Sequence, residues 1–184
     1  VLEQWLPELR QREDGHLAVV DATATRLLER DSSPRWEKLV NRWPLHLVAN
    51  AAGYPTHTLV AHAEGVFAWH PMSRENASDA LKRLIEHWQA GLRQPLPVAC
   101  ATAGKYLAAK RSGQDRDQAR SRVVSAYDSG YSPGEVDREP ALKRWYPDFQ
   151  SFWEAGSGDD FDAWAERLYG PAIDHWRAGA GDTP

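Results

Sequence analysis

Cysteine is nearly absent: Cys100 is the only one in 184 residues. The chain therefore cannot close a disulfide within itself or build a cysteine zinc site, and such scarcity fits a reducing cytoplasm. Long hydrophobic runs are missing too. With no stretch of about 18 uncharged apolar residues, nothing here is expected to span a membrane. No secretory leader precedes the first helix-like segment. The chain opens on Val1 rather than methionine, which suggests a piece of a longer polypeptide. Positive charge is not in excess: the formal balance is −4, and a generic nucleic-acid coat would be basic. What is abundant is tryptophan, with nine residues at positions 5, 36, 43, 69, 88, 145, 153, 164 and 176. A 42% hydrophobic content supports a core able to bury most of them. The remainder are candidates to face a partner, because tryptophan is enriched at interface hot spots.

Element patterns come next. Leu2 to Arg10 reads as a short helix turned at Asp14-Gly15, and His16 to Asp21 reads as a central strand with a continuous apolar centre. Asp31-Ser32-Ser33-Pro34 reads as the cap and first turn of a helix whose apolar stripe runs through Trp36, Leu39, Val40, Trp43 and Leu47 to about Ala51. Pro44 predicts a break near Trp43. Thr56 to His62 and Val66 to His70, separated by Ala63-Glu64-Gly65, predict a hairpin stopped by Pro71. A helix from Ser73 carries Ala77, Leu81, Leu84, Trp88 and Leu92 on one face. It enters a proline hinge, Leu92-Arg93-Gln94-Pro95-Leu96-Pro97, which extends Leu96 and starts a second helix over Pro97–Lys110. That second helix is so rich in alanine and glycine that close burial is expected. Asp115 to Tyr127 is a charged helix, and Ser129 to Glu135 is a loop. Short helices follow, broken at Pro147 and at Gly156-Ser157-Gly158; the last passes Pro171 and ends before a tail at Asp182-Thr183-Pro184.

Charge is uneven along the chain. Lys105, Lys110, Arg111, Arg116, Arg120 and Arg122 face only Asp115 and Asp117 locally, whereas seven acids after residue 153 face Arg167 and Arg177. Two solvated helical faces would explain this; so would a basic rim for DNA phosphates. His57, His62, His70 and Glu64 on the hairpin invite a metal reading, but the turn resets strand parity and no metal or other cofactor is expected. His46 and His87 read as hydrogen-bonded structural histidines. Asp21, at the end of its strand in Val19-Val20-Asp21-Ala22-Thr23, is the acid of most interest. Metal-dependent nucleases of the PD-(D/E)xK type present one carboxylate this way, with a lysine two residues on, because phosphodiester hydrolysis needs a metal to activate water and to neutralise developing charge. Here Thr23 stands at the lysine position, and the nearest cation is Arg26. Upstream, Glu13 or Asp14 would have to supply the second acid. The motif reads as a relic.

Taken in order, these segments resemble the C-terminal region of the RecC family, the gamma subunits of exodeoxyribonuclease V. The resemblance runs through Leu17 to Thr25, the Trp43-Pro44-Leu45-His46-Leu47 helix with Asn50, the hairpin at Thr56 to Pro71 and the G-x-x-x-P-L-P pattern Gly91 to Pro97. It ends in Gly134-Glu135 with Glu139-Pro140, and in Ala165-Glu166-Arg167-Leu168-Tyr169-Gly170-Pro171. It implies an α/β, helix-rich fold: a degenerate restriction-endonuclease-like core with a small sheet over residues 1–110, and a helical C-terminal extension over 111–184 packed on it as one unit. It further implies a non-catalytic scaffold in a RecBCD-type helicase-nuclease that repairs double-strand breaks. The implied partners are RecB-like and RecD-like subunits and a duplex DNA end. On this reading Trp88, Leu96, Trp145 and Trp153 are candidates for the partner interface, and the six basic residues from Lys105 to Arg122 for DNA contact. Two other readings stand beside it: an active metal-dependent nuclease using Asp21, and a free-standing DNA-binding module using the basic segment.

Overall fold

A six-residue strand, β2 (Leu17–Ala22), lies inside a four-stranded sheet. The computed structural model describes residues 8–13, 15–29, 33–130, 132–155 and 160–179. The sheet has the order β1-β2-β3-β4 and is mixed. Strand β1 (Leu9–Gln11) pairs antiparallel with β2, β3 (Thr56–His62) runs parallel to β2, and β4 (Gly65–Trp69) returns antiparallel as the second arm of a hairpin. The fold is α+β and helix-rich, as expected. Strand β1 is a correction: it occupies the end of the segment read as a helix, because its backbone groups pair with Leu17 to Val19 and this outweighs the local pattern. The rest of that reading, with Trp5, Asp14, Asp31-Ser32, the Gly156 to Gly158 break and the Asp182-Thr183-Pro184 tail, lies outside the described residues.

A parallel pair requires a crossover, and residues 23–55 supply it. Among the described residues of this crossover Leu28 bridges to Pro34, and α1 (Trp36–Leu39) starts at an N-cap, Arg35, without side-chain capping. A 3₁₀ turn at Val40–Arg42 then leads into α2 (Trp43–Ala51), with Pro44 in its first turn. The single helix expected here is broken where proline dictates, since that ring cannot donate to the preceding turn. Asn50 fixes α2 to β3. Its buried amide donates to the Thr56 carbonyl at 3.1 Å, and its oxygen accepts from the Thr56 N–H at 3.1 Å.

The chain divides into two compact units, one running to Ile85 and resuming at Ala172, the other from Glu86 to Pro171. The helices α3 (Arg74–Gly91) and α10 (Gly170–Gly179) carry the chain between them. The first unit packs Trp36, Trp43, Phe67 and Trp69 under one face of the sheet. Ring centroids are 5.3 Å apart for Trp43 and Trp69 and 4.9 Å for Phe67 and Trp69, and the Trp69 indole N–H donates to the Ala172 carbonyl at 3.0 Å. Rings of this size bury more apolar area than any other side chain, so this cluster dominates that unit's stability.

The second unit is all helical: α4 (Cys100–Arg111), α5 (Arg116–Tyr127), α6 (Glu135–Arg138), α7 (Pro140–Trp145), α8 (Phe149–Trp153) and α9 (Phe161–Leu168), with the end of α3. Helix α4 is buried at Thr102, Ala103, Gly104, Tyr106, Leu107 and Ala109 and packs on α5 and α9, as its small residues predict. It starts at Cys100, three residues later than expected. Aromatic rings fill the remainder; Tyr127 stacks on Phe152 at 4.1 Å, and Trp153 lies 5.2 Å from Phe161.

Candidate functional site

The candidate residues gather at two places, the carboxyl ends of the parallel strands and the turn after α3. At the first, β2 delivers Asp21 beside Val60 of β3. The Asp21 side chain is 44% exposed, but its carboxylate is already engaged. Arg42, at the end of the 3₁₀ turn, donates from Nε to Oδ2 at 2.7 Å and from Nη2 to the same oxygen, while the Ala22 N–H donates to Oδ1 at 2.8 Å. Arg42 also donates to the Lys38 carbonyl at 2.7 Å. The acid thus pins the crossover turn to the strand. Thr23 follows on the strand's extension, where its N–H donates to the Ala61 carbonyl at 3.0 Å and its hydroxyl accepts from the Thr25 N–H at 3.1 Å.

A shallow depression of about 330 Å³ opens at this end, lined by Ala22, Thr23, Ala24, Ala61 and His62. No carboxylate lines it. Arg26 reaches Glu64 at the hairpin tip at 2.8 Å, and Glu64 lies 3.8 Å from the His62 ring. Of the two upstream acids considered, Glu13 is exposed, and Asp14 lies outside the described residues. Among the described residues no group of three or more His, Cys, Asp or Glu side chains is placed to hold a metal ion. The hairpin histidines are separated: His62 stays with Glu64, while His57 lies 5.4 Å from His70 and 6.1 Å from His16, ring to ring. His46 is structural. It is buried, faces the Thr58 hydroxyl at 3.1 Å and stacks on Trp43. Burial first, then the His175 and His57 imidazoles, lower its pKa to about 3.

The second place is the turn after α3. Leu96 is not projected outward; it folds back until its Cδ1 would sit 3.4 Å from a Cβ placed on Gly91, and Pro97 behind it is buried. The Tyr146 hydroxyl donates to the Pro95 carbonyl at 2.9 Å, seating the end of α7 on this turn. Trp88 and Leu92 are 62% and 68% exposed, and Trp145 is 58% exposed. Trp153, proposed from sequence for an interface, is corrected to core: it is 7% exposed and packed among Tyr106, Phe149 and Phe161.

The basic segment is less open than its sequence suggests. Arg111 makes a two-pronged pair with Glu166, at 2.5 and 2.7 Å. Lys110 lies 3.6 Å from Asp162, and Arg116 bonds Asp160 at 2.5 Å while lying over the Trp153 ring. Arg120 rests on Trp153 and Phe149. Lys105 and Arg122 are exposed. The acids that sequence counting assigned to a distant tail are therefore the partners of these cations.

Sequence reading missed one determinant. Glu135 accepts from the backbone N–H groups of Ala101 and Thr102, both at 2.8 Å, and from the Thr102 hydroxyl at 2.9 Å. It caps α4, whose own N-cap, Ala99, has no side chain able to do so. Gly134 beside it tolerates no side chain, since a Cβ there would sit 2.1 Å from the Tyr127 carbonyl oxygen. Gly170 is less constrained: a Cβ there would meet the end of the Glu166 side chain, 2.9 Å from the Oε2 that pairs with Arg111. Gly134-Glu135 and the Glu166 to Gly170 segment, both part of the family resemblance, thus have roles in packing and pairing.

No curated protein matches the chain significantly. The family model for the RecC C-terminal domain matches residues 1–111, well over half of the sequence. The chain belongs to the RecC C-terminal domain family, and with it to the subunits of the RecBCD complex, exodeoxyribonuclease V.

Proposed function

We propose that this chain is a non-catalytic scaffold and interaction domain of a RecBCD-type helicase-nuclease, built on a degenerate nuclease-like core. The observation that carries this reading is the state of Asp21. In a working metal nuclease the strand-end carboxylate would hold a divalent cation with a second acid, and a lysine two residues on would polarise the attacking water. Here Arg42 holds the carboxylate, Thr23 occupies the lysine position, and the adjoining depression is lined by alanines, a threonine and a histidine. A guanidinium bound to that oxygen competes with a cation for the same charge. The parallel β2–β3 pair with its helical crossover supports the nuclease-like part of this reading.

The chain's role is then mechanical: it holds surfaces in place for RecB-like and RecD-like subunits and for the duplex end that the complex processes. No helix among the described residues is long and apolar enough to cross a membrane. The test is a nuclease assay on linear duplex and single-stranded DNA with magnesium and with manganese, run on wild type and Asp21→Ala. The expected result is no cleavage above background in either. Manganese-dependent cleavage by wild type that disappears in Asp21→Ala would overturn the proposal in favour of an active nuclease.

A further inference from the structure

Leu92 extends the last turn of α3, its N–H donating to the Trp88 carbonyl at 3.1 Å, so Trp88 and Leu92 stand one above the other on a single helical face. Both are more than 60% exposed. The Tyr146–Pro95 hydrogen bond brings the end of α7, with exposed Trp145, to the same turn. Two indoles and a leucine left in water around one turn are costly surface, on the order of 25 cal/mol for each Å² not buried. Two of the three have an exposed arginine next to them in the chain: Arg93 follows Leu92 and Arg144 precedes Trp145. Neither guanidinium has a hydrogen-bond or ion-pair partner among the described residues, in contrast to Arg111 and Arg116, which are neutralised by Glu166 and Asp160. The neighbouring Lys143 is paired with Asp137 at 3.0 Å. In a chain of net charge −4, this turn joins bare aromatic surface to uncompensated positive charge.

We infer that the Trp88–Leu92–Trp145 surface, with Arg93 and Arg144, docks an acidic amphipathic helix of another protein chain. Tryptophan and arginine are the residue types that dominate protein interface energetics, and an apolar stripe with carboxylates on its flank is what meets both the rings and the guanidinium groups. Nucleic acid fits less well, because two cations neutralise only two phosphates and Leu92 has nothing to stack on. The inference rests on the scaffold reading, since it names the chemistry of one docking contact.

The test uses the full chain co-expressed with the RecB-like and RecD-like subunits of its own organism. Two double variants are compared with wild type, Trp88→Ser/Trp145→Ser and Arg93→Glu/Arg144→Glu. All four positions are exposed, and an unchanged urea midpoint verifies folding. Each double variant is expected to lose subunit retention about tenfold or more, as removal of two hot-spot side chains does. Rising salt should weaken wild-type retention and, by screening the new repulsion, raise what retention the charge-reversed variant keeps. Wild type and both variants retaining the subunits equally would overturn the docking surface while leaving the scaffold role standing. Failure of wild type to retain either subunit would sink both readings. Binding of a single-stranded oligonucleotide that is abolished by the same substitutions would also overturn the inference, because the surface would then serve nucleic acid.

Discussion

His46 shows at the residue scale what the first unit requires of its core. The ring is enclosed by Trp43 at 5.3 Å, His175 at 5.4 Å and Trp69 at 5.9 Å, a setting that has room for an imidazole but no carboxylate to balance an imidazolium. Its pKa, lowered from 6.5 to about 3, fixes the sign of the pH dependence. Above pH 6.5 the ring is neutral in both folded and unfolded chains and adds no pH dependence; between 6.5 and 3 the unfolded chain takes up a proton that the folded chain refuses. Stability therefore falls as pH drops through that window, by at most about 1.4 kcal/mol per pH unit from this group. Urea denaturation at pH 7.5, 6.5 and 5.5 measures the total slope. The difference between wild type and His46→Gln isolates this ring: the variant is expected to be less stable at pH 7.5 and to lose less on acidification. Identical slopes in the two proteins would show that His46 is not the acid-sensitive group. The core role of His46 was visible in its helical setting, but its partner was not, since Thr58 lies on a strand that the sequence does not align with the helix.

At the scale of elements, local signals decided well wherever the chain's own chemistry leaves no choice. Pro44 breaks the helix at Trp43, the strand at Leu17–Ala22 and the hairpin arms follow their apolar runs, and the alanines and glycine of α4 meet α5 and α9 closely. Failure came where a distant partner sets the outcome. Strand β1 exists because β2 is beside it, and α4 begins at Cys100 because Glu135 reaches its first turn from 33 residues away. The second case gives a direct prediction. A carboxylate on two orphan N–H groups at a helix start adds charge to hydrogen bonding, and its loss leaves those donors uncapped. Glu135→Ala is expected to destabilise the protein by about 1–3 kcal/mol in urea titration, with Glu135→Gln recovering part of it. Glu139→Ala, at an exposed position four residues on, should stay within about 0.5 kcal/mol of wild type. Equal effects at 135 and 139 would remove Glu135 from its capping role.

For the molecule as a whole, the distribution of charge separates the scaffold reading from that of a free-standing DNA-binding module. Counting residues along the sequence makes Lys105 to Arg122 the one strongly positive stretch, yet α9 and its N-cap answer it: Asp160, Asp162 and Glu166 lie against Arg116, Lys110 and Arg111, and Arg120 is laid on aromatic rings. A linear sequence cannot show this, because the acids arrive from some 44 to 55 residues downstream. Lys105, Arg116 and Arg122 are exposed, but Arg116 is held by Asp160, which leaves too few cations for a phosphate-tracking surface. The salt dependence of DNA binding turns this into a number. If all six cations met phosphates, the logarithm of the binding constant would fall with the logarithm of salt at a slope of about −5; two cations give at most about −2. Filter retention of a duplex end between 50 and 200 mM salt should therefore be weak and have the shallow slope, unchanged by Arg111→Gln and Arg116→Gln and flattened by Lys105→Gln with Arg122→Gln. A slope near −5 that collapses on substitution of Arg111 and Arg116 would mean that these ion pairs open to take DNA, and would make the chain a DNA-binding module in its own right.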